Sequence, residues 1–382
     1  MITQAHRHLA ERFDKPPLRT VINDLLLEIL DLLFTEEEAL LVSQMPGRRS
    51  TAARIAELAM RPQSEVAPVL DSLSKRGLIF HFDGDQGRTY MLLPFMPGIF
   101  EALMCIAPDT AQTRRFAELF NEYYSPQYFK HMLKRPARMF RIIPIEESIP
   151  HGSAVLPSDE IRETIHRHDA WSLAHFCGCR RQKEMLDRGC GKPKDVCMQF
   201  GTAARYVESA GLGRLVSKQE MLDAVDRAEE VGLVHFADNV ELPNISCNCC
   251  ACCCVALEAL NSFNVPAILT TSRYIVQLDA EECNTCGDCT DACHVGALHI
   301  YNDRLIVKPP RCIGCGACIS KCPTNALELT LRPDNRSTPE NYGELVLNLT
   351  TEVMGVQKYT DAIGPGFAKM LAPLFQRGLK KL

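Results

Sequence analysis

The chain has 382 residues, 46% of them hydrophobic, with 42 Lys and Arg against 47 Asp and Glu for a formal net charge of −5. That length accommodates two to four domains with cores of their own, and the mild negative balance excludes a general electrostatic pull toward nucleic acid or anionic lipid. The outlier is cysteine, with 19 copies in a chain long enough to fold without disulfide staples.

Residues 1–13 mix His, Arg and Glu where a secretory signal would place its apolar core, so the expected location is cytoplasmic. The most apolar stretch, Val21 to Phe34, is interrupted by Asp24, Glu28 and Asp31 and reads as a buried amphipathic helix; no membrane span is expected. Thr35 with Glu38 makes a capping box for a helix through Ala39, Leu40 and Leu41, and Ser50 is placed to cap Ala53 to Met60. Ser64 opens a further helix with Val66, Val69, Leu70 and Leu73 at helical spacing, stopped by Gly77. Leu78 to Phe82, the turn residues Asp83 to Gly87 and Thr89 to Leu93 then form a hairpin.

This order of helices and hairpin resembles a winged-helix domain, with Leu73-Ser74-Lys75-Arg76-Gly77-Leu78-Ile79 entering the wing. Residues 21–93 carry seven Arg or Lys against 11 Asp or Glu, and the third helix presents Glu65, Pro68 and Asp71. Such a surface neither neutralises phosphates nor reads base edges, so docking or homodimerisation is the expected role and DNA is not an expected partner. Cys105, on the apolar stretch Leu103 to Ala107, reads as a small core residue. Lys130, Lys134, Arg135, Arg138 and Arg141 read as a solvated face, and prolines at 144, 150 and 157 punctuate the approach to the cysteine-rich half.

The other 18 cysteines fall between Cys177 and Cys322. Clustered thiolates in a chain without an export signal point to iron-sulfur, zinc or copper(I). The first group is Cys177, Cys179, Cys190 and Cys197, the least forced set for one cluster. The second is the run Cys247, Cys249, Cys250, Cys252, Cys253 and Cys254, six thiols in eight residues, which is more than one cluster uses from a short peptide. One or two clusters are therefore expected upstream. His166, His168 and His175 are placed on a helix leading to Cys177 and read as packed or surface residues. Arg180 and Arg181 suit a negatively charged cluster. Gly211-Leu212-Gly213 lacks the strand and third glycine of a nucleotide-binding loop.

Two segments then repeat at a spacing of 29 residues, Cys283, Cys286, Cys289 and Cys293 followed by Cys312, Cys315, Cys318 and Cys322, each C-x2-C-x2-C-x3-C. Zinc sites use paired knuckles across a longer loop, whereas three close thiolates suit one face of an iron-sulfur cubane with the fourth ligating the neighbouring cluster. This gives Cys283, Cys286, Cys289 and Cys322 to one 4Fe-4S cluster and Cys312, Cys315, Cys318 and Cys293 to a second. Cys322 is followed by Pro323, as the pattern expects, but Cys293 by His294. A histidine there could donate a hydrogen bond to a cluster sulfur, couple reduction to protonation, or sit in solvent.

The C-x-C-R start, the Cys-Met-x-Phe-Gly phrase at Cys197 to Gly201, Gly232 to His235 and the C-x-C-C-x-C-C-C run resemble a family of multi-cluster 4Fe-4S dicluster-domain proteins of anaerobic bacteria. The resemblance covers roughly residues 170–332, with a winged-helix region as its usual companion. It implies electron transport with a flavoprotein or iron-sulfur oxidoreductase, and no reaction of its own. Adjacent cysteines are also similar to the non-cubane clusters of heterodisulfide reductases, although the long CCG signature of those enzymes is absent.

The expected protein is of α+β type. Residues 20–105 form a winged-helix-like domain, 106–157 a helical linker, 158–275 a mainly helical cysteine-rich domain, 276–332 a ferredoxin module and 333–382 a tail with a helix at Phe367 to Leu382. It relays single electrons between a low-potential donor and a partner oxidoreductase. Two rival readings are a redox-sensing winged-helix regulator and a reductase acting at residues 247–254.

Overall fold

Among the described residues, five helices and a small sheet form the N-terminal region of the computed structural model, which describes residues 1–15, 20–84, 87–124, 138–150, 155–263, 269–333 and 338–354. The chain divides into two compact units. One comprises residues 1–128 with 170–216, the other residues 129–169 with 217–382.

In the first unit, Asn23 caps the helix Asp24–Leu33 by accepting from the Leu26 amide at 2.9 Å, and Leu26, Ile29 and Leu30 point into the core. The next helix, Glu36–Ser43, starts on the reciprocal Thr35 and Glu38 capping box. Thr51, not Ser50, caps Ala52–Leu58, because Ser50 pairs in a strand with Tyr90 and turns its hydroxyl to the Arg48 carbonyl. Gln63–Lys75 starts after Pro62, so Ser64 lies inside its first turn rather than capping it. Its end is a Schellman turn. The Leu78 amide returns to the Leu73 carbonyl and Gly77 to Ser74, with Gly77 at φ +73°.

The hairpin Ile79–Phe82 and Thr89–Leu92 completes an antiparallel sheet with Ser50–Thr51 at the edge. The helices Phe100–Ile106 and Ala111–Tyr123 stack Phe100 on Phe120 at 3.9 Å. Gln182, on the helix Gly178–Met185, donates to the Ala117 carbonyl and fixes that helix against them. A three-stranded antiparallel sheet, Met198–Phe200, Trp171–Ala174 and Gly213–Val216, stands beside the helix Gly201–Ser209.

The second unit carries strands in the order Leu269–Thr270, Phe140–Ile143, Val234–Asp238 and Ile245–Cys249, the first pair parallel and the others antiparallel. The helices Ile161–Arg167 and Lys218–Glu230 also belong to it. Beyond them, Tyr274–Leu278 pairs with Leu327–Leu331, and Leu298–Tyr301 with Arg304–Val307. Ile142, Phe236, Leu257, Val276, Leu298 and Leu327 share one core.

The architecture is mixed helix and sheet, and the expectation of a mainly helical cysteine-rich region is corrected. Five strands of three to five residues, from Trp171–Ala174 to Ile245–Cys249, run through it. Their sequences hide the period of two. Val234–Asp238 is buried at all five positions with His235 and Asp238 among them, so no polar face alternates with an apolar one.

The histidines are corrected too. Only His166 lies on the helix Ile161–Arg167; His168 follows it and bonds the Pro243 carbonyl, and His175 follows a strand. Arg141 is buried on its strand, donating to the Val240 carbonyl, rather than lying on a solvated face. Lys130, Lys134, Arg135, the turn residues 85 and 86 and the tail helix at 367–382 lie outside the described residues. Among the described residues no helix is long and apolar enough to cross a membrane.

Candidate metal centres

The two four-cysteine loops converge on two cavities. Cys283, Cys286, Cys289 and Cys322 line one, closed by Ile300 and Leu305. Cys293, Cys312, Cys315 and Cys318 line the other, closed by Val276 and Ile313. Each cavity thus draws three thiols from one run and the fourth from the other. Gly287, at φ +93°, opens the short helix Asp288–Ala292 that carries Cys289. In the second loop the Ile145 amide donates to the Cys315 carbonyl at 3.0 Å, Ser272 to Gly314 at 2.6 Å and Arg332 to Cys312 at 2.6 Å.

Burial disfavours the thiolate, pushing Cys289 up to about 11, Cys315 to about 12 and Cys318 higher still. A metal that shares the negative charge would offset this cost. At Cys322 burial also raises the thiol, but the Thr324 hydroxyl and amides from Thr324, Ala326 and Leu327 outweigh it and hold the group below its ordinary range. The Ala297 amide donates to Cys293 Sγ at 3.1 Å, the kind of bond that tunes a ligand sulfur. Four thiols around each apolar cavity, with N–H donors at the sulfurs, fit a 4Fe-4S cluster.

Upstream, Cys177 caps the helix Gly178–Met185 and its thiol meets those of Cys179 and Cys197. Hydrogen bonds from Cys179 and Cys197 hold it well below the usual thiol range against its burial, with the Arg180 cation assisting. Buried Arg180 also donates to the Pro193 carbonyl, bracing the loop that carries Cys190. Arg181 instead lies over the Phe176 ring at 4.2 Å and donates to Ala107. Cys105 is buried, with its thiol on the Phe176 carbonyl.

Cys247 and Cys249 lie on the strand Ile245–Cys249, and the Cys249 thiol meets Cys247 and Cys254. Contact with Cys247 and Cys254, then burial, pushes Cys249 well above the ordinary thiol range. The Sγ atoms of Cys250, Cys252 and Cys253 lie within 4.8 Å of one another.

Polar residues behind this strand escaped the sequence reading. His235 bonds Asn248 Oδ1 at 2.6 Å through Nδ1 and Glu229 Oε1 at 3.0 Å through Nε2. Arg162 reaches the other Glu229 oxygen at 2.7 Å. The Gly232 to His235 phrase was the available signal. Asp238 accepts from the Tyr342 hydroxyl and the Asn244 and Ile245 amides, yet its burial dominates and raises it to about 6.

Doubled four-cysteine loops around paired cavities are the arrangement of a ferredoxin-type iron-sulfur module. Residues 275–324 match the family described as the 4Fe-4S dicluster domain. A ferredoxin of Rickettsia felis is 36% identical over 50 residues, 13% of this chain and 46% of that protein. A ferredoxin of Alicyclobacillus acidocaldarius is 42% identical over 40 residues, 10% and 51% of the two chains. The electron transport protein HydN of Escherichia coli K12 is 36% identical over 61 residues, 15% and 35%. The chain spans about half or less of the length of the curated relatives it matches. No solved structure matches it. The region is a metal-binding, ferredoxin-type 4Fe-4S module for electron transport.

Proposed function

We propose that the chain relays single electrons between a low-potential donor and a partner oxidoreductase, a flavoprotein or another iron-sulfur enzyme whose cofactor performs the two-electron chemistry. The observation that carries this reading is the gathering of four thiols, three from one run and one from the other, around each of two adjacent-sequence cavities. In it, Cys283, Cys286, Cys289 and Cys322 hold one 4Fe-4S cluster, and Cys312, Cys315, Cys318 and Cys293 the second. The ten cysteines from 177 to 254 hold one or two more. The protein works in the cytoplasm of an anaerobic bacterium.

Residues 20–105 serve as a winged-helix-like docking or dimerisation domain, followed by the linker 106–157, the cluster-binding region 158–275, the ferredoxin module 276–332 and the tail from 333. Against a DNA-reading role stands the use of the hairpin's own groups. Phe80 meets Tyr206 at 4.4 Å, Arg49 lies over Phe82 at 3.5 Å, and Arg88 is paired with Asp71 and Asp83. These cations are already engaged within the unit, leaving little for phosphates.

The test is anaerobic purification of the full chain with iron and sulfide counts, then mixing of the dithionite-reduced protein with an oxidised flavodoxin-type flavoprotein. Expected are about twelve to sixteen iron per chain, at four per cubane, and one-electron flavin reduction. Reduced protein with no low-temperature paramagnetic signal and no transfer would overturn the relay.

A further inference from the structure

We infer that the run Cys247 to Cys254 is two half-sites: Cys247, Cys249 and Cys254 serve one iron-sulfur centre, and Cys250, Cys252 and Cys253 serve another. This rests on the reading that clusters beyond the ferredoxin pair bind upstream of it.

The backbone makes the division. Along the strand Ile245–Cys249 side chains alternate, so Cys247 and Cys249 share one face. Asn248 takes the opposite face and is occupied there by His235. After Cys249 the chain leaves the strand. The amides of Cys253 and Cys254 return to the Cys250 carbonyl at 3.4 and 3.0 Å, one tight turn. That turn brings Cys254 back to the Cys249 thiol, which also meets Cys247. Cys249 and Cys254 belong to the core that contains Phe236, Leu257 and Cys312, and the half-buried Cys247 packs against it.

The turn carries the remaining three thiols as a separate group. Their Sγ atoms lie within 4.8 Å of one another, with Cys250 and Cys253 buried and Cys252 exposed. Three thiolates this close repel unless a metal shares their charge, and thiolate ligands select soft metals and iron-sulfur clusters. Each set supplies three of the four thiolate positions of a cubane. A single centre would have to draw on both sets, whereas the close group of Cys250, Cys252 and Cys253 includes none of Cys247, Cys249 and Cys254. Two centres in one eight-residue run, one of them in the ferredoxin core, make this peptide a junction in the electron path.

Iron and acid-labile sulfide are counted on anaerobically purified full-length protein, with low-temperature paramagnetic resonance, for wild type, Cys249→Ala, Cys253→Ala and the double variant. Each single change is expected to remove about four iron and the double change about eight, with the ferredoxin signals intact. A double variant that loses no more than either single one shows a single centre and overturns the division. Zinc in place of iron at either set overturns its assignment. A wild type with only about eight iron refutes the reading on which the division rests, and both fall together. Should the buried variants fail to fold, Cys247→Ala and Cys252→Ala, at less buried positions, carry the same additivity test.

Discussion

His294 Nδ1 accepts a hydrogen bond from the Ala251 amide at 3.2 Å, joining the residue after Cys293 to the middle of the cysteine run. The same ring donates from Nε2 to the Gly232 carbonyl at 2.5 Å, and the His294 carbonyl accepts from Asn261 Nδ2 at 2.7 Å. A histidine at this point could have served a cluster sulfur or carried a proton. Both ring nitrogens are instead spent on backbone groups, so the side chain clasps the cysteine turn to the ferredoxin loop. A proline, with no donor or acceptor on its ring, could not.

His294→Pro should therefore keep the ferredoxin clusters and loosen the turn. Two lost hydrogen bonds at about 1 kcal/mol each correspond to roughly a 30-fold change in equilibrium. Iron held outside the ferredoxin cavities should pass to a chelator about that much more readily, followed by absorbance against a retained ferredoxin resonance signal. His294→Gln, which can both donate and accept, should recover part of the loss. Equal behaviour of the two variants would remove the clasp.

The sequence displays those features in which one residue type has one physical use. Thr35 with Glu38, Gly77 at a positive φ and the doubled C-x2-C-x2-C-x3-C runs are of this kind, and each local pattern reappears in the fold. Strands such as Val234–Asp238 stay hidden because tertiary partners, Glu229 for His235 and Tyr342 for Asp238, let polar groups face inward. The run from Cys247 has the same difficulty. Cysteine is at once apolar filler and ligand, so neither alternation nor spacing shows where the strand stops and the turn begins.

Gly316 sets a limit on the second ferredoxin loop. Its φ is +81°, and a Cβ there would overlap Ser148 Oγ. Ser148 cannot easily withdraw, because its hydroxyl bonds the Ile145 carbonyl at 2.6 Å while the Ile145 amide holds Cys315. Gly316→Ala should cost about 2 to 3 kcal/mol from strain and overlap together. The expected readout is loss of about four iron, with the signal of the Cys283, Cys286, Cys289 and Cys322 cluster retained. Gly287→Ala, also at positive φ but with its nearest neighbour at 3.5 Å, should cost only about 1 kcal/mol and keep both clusters. Adding Ser148→Gly to Gly316→Ala should restore part of the iron.

The buried ion network behind the cysteine strand gives a prediction with a pH signature. Burial would raise the Glu229 carboxyl, but hydrogen bonds and charge from His235 and Arg162 outweigh it and bring the group down to about 2 from an ordinary 4.5. Because the folded value is depressed, the stabilisation is complete above about 4.5 and is lost only as pH falls from there toward 2. Glu229→Gln should thus lower stability by about 2 kcal/mol, allowing for solvent screening of a carboxylate that is not wholly enclosed. Since Glu229 holds His235 and His235 holds Asn248, the loss should also reach the strand carrying Cys247 and Cys249. Thermal unfolding of the anaerobic protein across pH 8 to 9 should show the same penalty at every pH, because that window lies above the titration of this carboxyl and above the ordinary range of a histidine partner. A penalty that shrinks or grows across that window would place the effect on a different group and detach Glu229 from the stability of the strand.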